Sequence, residues 1–308
     1  MKKLWILCSA CVWMFLSINA QTDTIQPATQ HVIDTTPNMR LPEQPITTND
    51  KYVSYKQKNN PAPVYALKPA MDIPITALGT AWSLYAFTKI YNKDPSSEEQ
   101  IMALRKTDVN GFDRWAIRPF HERADKISYY PFYASMPLPL FFLIDNKMRK
   151  DFFKLSFLYL EAMSITGLLY TGSTYFTNRY RPYAYDEKTD FNYRLRGGAK
   201  NSFYAGHVAL VATSTFFYAQ IYADYHPNSK TKWLFYGLAG AATGFTGYLR
   251  HYSGQHFPSD LLLGLTQGTL TGLLVPKLHK TKLLKHHNVR LYPFAGAGNG
   301  GLAVVYKF

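Results

Sequence analysis

Three clusters of polar residues stand at the ends of apolar segments in the second half of the sequence. They occupy residues 178–182, 202–207 and 250–260. In the third cluster, Pro258 suits the first turn of a helix, so His256 lies just before that helix and Asp260 within its first turn. A carboxylate is favoured there by the helix dipole, and it can hold one imidazole nitrogen while the other stays free. The pattern therefore predicts that His256 is a nucleophile oriented by Asp260.

The remaining residues of these clusters are suited to binding an anion. Arg250 and Arg181 offer forked donors for phosphoryl oxygens, and Arg179 could add a third guanidinium. Gly206 allows close backbone approach at a helix start, where free N–H groups favour anions. His207 next to it could protonate a leaving alkoxide. Together these groups would stabilise charge that develops on a phosphoryl group.

The three clusters resemble the motifs of the type 2 phosphatidic acid phosphatase family, which shares its fold with vanadium haloperoxidases. The third motif is matched in spacing by Arg250, His256 and Asp260, and the resemblance covers roughly residues 128–275. It implies an all-α helical bundle and a phosphohistidine formed on His256. It further implies that His207 is the general acid and that Arg181, Arg250 and the Gly206 amide hold phosphate. No metal ion or cofactor is expected in this chemistry.

Three positions depart from the family pattern. Thr174 stands where the first motif has lysine, Tyr204-Ala205 replaces Pro-Ser, and Leu249 replaces the serine before Arg250. The substitutions remove two donors to phosphate, and Arg179 is a candidate to compensate for them. These departures leave an alternative interpretation, in which the chain is a catalytically weak lipid-binding membrane protein of the same fold.

The amino-acid composition indicates which class of molecule the protein binds. The 308 residues carry a formal net charge of +14, which favours anionic partners. Because no basic-aromatic nucleic-acid module is present, we expect a phosphorylated lipid and a membrane rather than nucleic acid. The oligomeric state is not predicted. Both cysteines, Cys8 and Cys11, lie in an N-terminal apolar leader, so thiol chemistry is not expected in the mature chain.

The sequence divides into five regions. Residues 1–20 read as a signal peptide, with an uncleaved membrane anchor as the alternative. Residues 21–63 are a disordered or extended linker, 64–127 a helical and loop region, 128–276 the phosphatase bundle, and 277–308 a basic tail with a β-hairpin.

Five apolar segments near bilayer-spanning length are predicted in and around the bundle. They are 128–144, 152–176, 207–222, 233–249 and 260–275. Glu161 must face the interior if its segment lies in lipid. Lysines and arginines at the opposite end from the three clusters place that end in the cytoplasm, so the active site would face the periplasm from a bacterial inner membrane. The mean hydropathy of −0.20 keeps open a soluble periplasmic acid phosphatase.

Overall fold

The computed structural model of the chain describes residues 63–281, 289–296 and 299–306. The predicted signal peptide, nearly all of the predicted linker and the Lys/His-rich segment 282–288 lie outside these described residues. The predictions made for them therefore remain predictions.

The described part of the chain is a bundle of α-helices, as the sequence predicts. In chain order the α-helices are α1 (Pro69–Tyr91), α2 (Glu98–Met102), α3 (Glu122–Ser135), α4 (Phe152–Phe176), α5 (Phe191–Leu195), α6 (Gly206–Tyr225), α7 (Thr231–Tyr252) and α8 (Pro258–Leu278). Short 3-10 turns join several of them. Two strands, β1 (Val289–Gly296) and β2 (Asn299–Tyr306), pair antiparallel, which is the predicted hairpin.

Glycines on one face of α8 explain how closely it packs against α6. A Cβ atom on Gly264, Gly268 or Gly272 would come within 2.6, 2.2 and 2.6 Å of a backbone carbonyl oxygen near or within α6. Their spacing of four residues puts all three on the same side of the helix. Small residues at such a seam let two backbones approach, which fixes the start of α6 against the start of α8. Both helix starts carry predicted site residues.

One predicted segment, 128–144, is not a continuous helix. The chain leaves α3 at Ser135 and continues as a 3-10 turn over Leu138–Leu143. Pro137 and Pro139 together remove two backbone N–H donors within three residues, which disfavours a continuous α-helix there. The other four segments fall within α4, α6, α7 and α8.

The exterior of the bundle is unusually apolar. Large side chains on several elements face outward, with exposures of 72% for Leu78, 75% for Ile144 and 52% for Leu262. Within the described residues, two helical stretches, Met148–Phe176 and Pro258–Leu278, are long and apolar enough to cross a bilayer by length and composition. Glu161, inside the first of these stretches, is buried in the bundle as expected.

The chain segments that begin and finish the helical bundle lie side by side. Tyr65, before α1, pairs antiparallel with Lys280, after α8. The backbone N–H of Ala66 donates to the His279 carbonyl at 2.9 Å, and that of Thr281 donates to the Val64 carbonyl at 3.1 Å. These bonds join the first and last turns of the bundle at the end of α8 opposite His256.

Candidate active site

His256 is held by one ring nitrogen. It lies in the loop between α7 and α8, is 2% exposed, and its Nδ1 is 2.7 Å from the Ser202 carbonyl oxygen. Because a carbonyl only accepts, Nδ1 carries the hydrogen. Burial, reinforced by the positive charges of Arg181 and Arg250, holds the pKa of His256 well below that of a free imidazole. The ring is therefore neutral, and the lone pair resides on Nε2.

One predicted residue, Arg250, lies beside this nitrogen, with its Nη2 3.5 Å from His256 Nε2. It comes from the last turn of α7. The positive charge of Arg181 lowers the pKa of His256 together with that of Arg250. That His207 and Arg181 share a single phosphate site with His256 stays a prediction.

Arg250 is the buried cation of the site. Its Nη1 donates to Asp125 Oδ1 at 2.6 Å and lies 3.2 Å from Ser128 Oγ, while its buried Nε has no hydrogen-bond partner. The guanidinium is 2% exposed. Because buried polar groups are nearly always satisfied in folded proteins, the unpaired Nε is a donor still available to an anion. Sequence reasoning missed Asp125 and Ser128, because they lie more than 120 residues earlier, on α3.

Arg181 is held at one nitrogen and open at the others. Its Nε donates to the Gly198 carbonyl at 2.9 Å, and its backbone N–H donates to the Ala199 carbonyl at 2.8 Å. Within the part of the chain that the structure describes, its two terminal nitrogens have no protein partner. They are free to hold phosphoryl oxygens.

Asp260 does not contact His256 in the predicted way. Its carboxylate accepts from Ser202 Oγ at 2.6 Å, from the Phe257 N–H at 3.0 Å and from Arg179. The carboxylate folds back over the start of α8, where it caps the helix. Asp260 therefore positions Ser202, and the carbonyl of Ser202 in turn orients the His256 ring. The prediction was wrong about direct contact, because a backbone carbonyl occupies the place assigned to the carboxylate.

Arg179 is not placed to hold phosphate. One terminal nitrogen donates to Asp260 and to Ser259 Oγ at 3.0 Å, and the other donates to Asp113 Oδ2 at 2.6 Å. Its guanidinium also lies over the Phe257 ring at 4.7 Å. Carboxylates within ion-pairing distance compete with any phosphate for these donors. The phosphate-binding prediction for Arg179 is therefore corrected to a positioning role.

Asp113 completes this positioning network, and sequence reasoning missed it. It is fully buried and accepts from the Ser259 N–H at 3.0 Å and the Ser259 hydroxyl at 2.6 Å, besides Arg179. Burial raises its pKa, but hydrogen bonds from Ser259, Asn110 and Arg179 outweigh burial and hold the pKa below its ordinary value. The only local sign in the sequence is the Asn110–Asp113 turn, which is common in loops.

His207 and Gly206 begin α6. The His207 ring packs against Tyr129 and Phe132 at centroid distances of 4.7 and 5.0 Å, and no described hydrogen bond reaches its nitrogens. Gly206 has a steric reason to be glycine, since a Cβ there would lie 2.5 Å from the Tyr170 ring. As at any helix start, the first amides of α6 have no carbonyl partner within the helix.

The positions that depart from the family pattern have structural partners here. Thr174 Oγ1 lies 3.0 Å from the carbonyls of Tyr170 and Phe203, and Tyr204 Oη donates to Gln267 at 3.1 Å. An amine still reaches the end of α4 from elsewhere, since Lys93 Nζ donates to the carbonyls of Thr174 at 2.8 Å and Thr177 at 2.6 Å. At the position of the first-motif lysine, this chain therefore has Thr174, whose hydroxyl donates to backbone carbonyls.

Comparison with known proteins agrees with the resemblance seen in the motifs. Residues 155–284 match the family model described as the PAP2 superfamily, and all seven predicted site residues lie within that range. A search of curated proteins found no match. Among solved structures, the chain is similar to the first transmembrane PAP2 type phosphatidylglycerolphosphate phosphatase from Bacillus subtilis. The identity is 16%, the match covers 67% of this chain and 94% of that chain, and the TM-score is 0.38.

Proposed function

We propose that this chain, whose residues 155–284 form a PAP2 superfamily domain, is a phosphatase that hydrolyses a lipid phosphate monoester or diphosphate. The observation that carries the proposal is the state of His256. A neutral imidazole with Nδ1 bound to a carbonyl presents the lone pair of Nε2 beside the partly unpaired guanidinium of Arg250. That is the arrangement a histidine nucleophile requires.

The first chemical step is attack of His256 Nε2 on phosphorus. The P–N bond forms as the bond to the leaving oxygen breaks, and His207 donates its proton to the departing alkoxide. Arg250, Arg181 and the amides at the start of α6 stabilise negative charge on the phosphoryl oxygens. The phosphorylated ring becomes cationic, and the Ser202 carbonyl at Nδ1 stabilises that charge.

The second step releases phosphate. Water attacks phosphorus, His207 accepts a proton from that water, and the P–N bond breaks to restore neutral His256. No step requires a metal ion. Asp260, Arg179 and Asp113 take no proton in either step. They hold Ser202 and the start of α8 in place, so they act as positioning residues.

A membrane location is part of the proposal. The outward-facing apolar side chains and the two stretches of spanning length favour contact with lipid over a fully aqueous setting. Basic residues such as Lys147, Lys150 and Lys230 lie near the helix ends opposite the site, so the positive-inside rule favours a periplasmic active site. A lipid headgroup at the bilayer surface would then reach His256 directly. The soluble periplasmic acid phosphatase remains the alternative.

The test is phosphate release by detergent-purified protein from phosphatidylglycerophosphate, phosphatidate, undecaprenyl diphosphate and lipid A, with chelator present. We expect turnover of at least one lipid, and loss of about three orders of magnitude or more in His256→Ala. His226→Ala is the matched control, because His226 pairs with Asp145 far from the site and should leave the rate unchanged. Equal rates for His256→Ala and the wild type would refute the assignment.

Trapping the intermediate tests the mechanism separately. With substrate labelled at phosphorus, rapid denaturation should recover an acid-labile, base-stable phosphoramidate on the wild type and none on His256→Ala. Lipid binding without turnover on any substrate would instead favour the catalytically weak lipid-binding protein, which the altered motif positions Thr174 and Tyr204 suggest.

A further inference from the structure

A second cluster of ionisable side chains lies at the other end of the bundle. Asp72 from the first turn of α1, Glu161 from α4 and His279 directly after α8 are 2%, 3% and 6% exposed. One potential ligand atom from each lies within 4.8 Å of the other two. With a rise of 1.5 Å per residue, His279 is about 28 Å along α8 from Asp260, so this cluster is separate from the candidate active site.

The side chains of this cluster are oriented as metal ligands are. His279 Nδ1 is 2.7 Å from the Val275 carbonyl, so it carries the ring hydrogen and directs Nε2 toward the carboxylates. Nε2 lies 3.2 Å from Asp72 Oδ1 and 3.7 Å from Glu161 Oε2. The second oxygen of Asp72 accepts the Lys68 backbone N–H at 2.5 Å, which fixes that carboxylate as well.

Glu161 supplies an independent indication of a missing partner. Its Oε2 is fully buried, points into the cluster and has no hydrogen-bond partner. A carboxylate oxygen buried without a donor is costly, since it has lost its water and gained nothing in exchange. Something that accepts its lone pair is therefore expected at the centre of the cluster.

A divalent cation would balance the charge of the cluster, which a proton on the imidazole alone does not. Two carboxylates and a protonated His279 would leave one net negative charge in a buried site between three helices. A divalent ion with a neutral imidazole and two carboxylates gives a net charge of zero. It would also satisfy Glu161 Oε2 and His279 Nε2 together.

We propose that Asp72, Glu161 and His279 form a binding site for a divalent transition metal ion of the zinc type. Ligand atoms about 2.0–2.2 Å from a tetrahedral ion stand roughly 3.3–3.6 Å apart, which is close to two of the separations here. The third separation, between the Asp72 and Glu161 oxygens, is within 4.8 Å and would shorten on binding, and water would complete the coordination. Because each ligand comes from a different part of the chain, the ion would fasten α1, α4 and the end of α8 together. Its role is structural and independent of phosphate chemistry.

The experiment measures metal content and thermal stability of the full chain in detergent. We expect about one zinc per chain, removal by chelator with a fall in Tm of several degrees, and recovery on adding ZnCl2. Co2+ added to the chelated protein should give visible d–d absorption, which an ordinary ion pair cannot produce. Glu161→Gln and His279→Gln should each weaken zinc binding by at least about 10-fold and abolish the Tm response.

Two comparisons keep the outcome interpretable if a variant is unstable. Glu161→Gln removes an unpaired buried charge, so its Tm without metal should equal or exceed that of the chelated wild type. Asp145→Asn is the matched control, since Asp145 forms its ion pair with His226 and not with a member of the cluster, so its loss should leave zinc binding intact. Zinc bound equally well by Glu161→Gln, or no zinc-dependent Tm shift in the wild type, would overturn the proposal.

Discussion

Asp113→Asn tests whether the site depends on a network that touches no substrate. The substitution keeps the shape of the side chain but removes the charge that faces Arg179 at 2.6 Å. It also replaces one acceptor oxygen with a donor against the Ser259 hydroxyl or N–H, both of which now donate to Asp113. The start of α8 is therefore expected to loosen.

The size of the expected loss in stability follows from how deeply Asp113 and Arg179 are buried. Breaking a fully buried ion pair by removing one partner costs about 3–5 kcal/mol. The side chain of Arg179 is 24% exposed and keeps Asp260 as a second carboxylate, so part of that cost is avoided. We expect a fall in the free energy of unfolding of about 2–3 kcal/mol. A lower kcat with nearly unchanged KM should accompany it, because the loosened network positions His256 rather than binding phosphate.

The assay is a double-mutant cycle in detergent. Unfolding free energies are compared for Asp113→Asn, Arg179→Met and the double variant, with phosphatase rates for each. Contact between the two residues predicts a coupling energy of about 1–3 kcal/mol. Asp108→Asn, at a nearby exposed carboxylate, should change stability by less than about 0.5 kcal/mol. Additive single effects, or an unaltered kcat in Asp113→Asn, would show that the network does not support the site.

Three further outcomes are expected. Arg250→Lys should lower kcat/KM by about 100-fold, since a lysine cannot contact Asp125 and phosphate with forked donors; an unchanged value in steady-state assays would argue against the clamp. Gly206→Ala should cost about 1–3 kcal/mol of unfolding free energy, because its Cβ meets the Tyr170 ring at 2.5 Å, and Tyr170→Leu should recover part of that loss in the double variant. Because its folded-state pKa is depressed, Asp113 contributes stability that is fully present above its unfolded pKa of about 3.9 and is lost as pH falls through the folded value. Acid titrations of unfolding should therefore show a smaller loss in Asp113→Asn than in the wild type.

The sequence was a good guide wherever local pattern decides structure. The apolar run from Phe152 to Phe176 forms one helix with those bounds, and the two segments predicted as a hairpin near the end of the chain pair antiparallel. The spacing of Arg250 and His256 likewise brings the two side chains together, because both lie within one helix end and its adjoining loop.

Prediction from the sequence failed where the contacting residue lies far away along the chain. Arg179 looked free for phosphate because Asp113 lies 66 residues earlier, and nothing in either segment indicates that they meet. Asp260 looked bound to His256 because the two are close in sequence, yet the carbonyl of Ser202, 54 residues before His256, occupies the ring nitrogen. Such choices are settled by how helices pack, which spacing within one segment does not encode.

The pairing of Tyr65 with Lys280 has a practical consequence for handling the molecule. Since the strand-like ends of the bundle run side by side, a short linker could join residues near 281 to residues near 63, and new termini could be opened in an exposed loop such as that between α6 and α7. A circular permutant built this way should keep the helix starts that carry the candidate site intact. Fluorophores attached at the joined ends would stand about one helix length from His256.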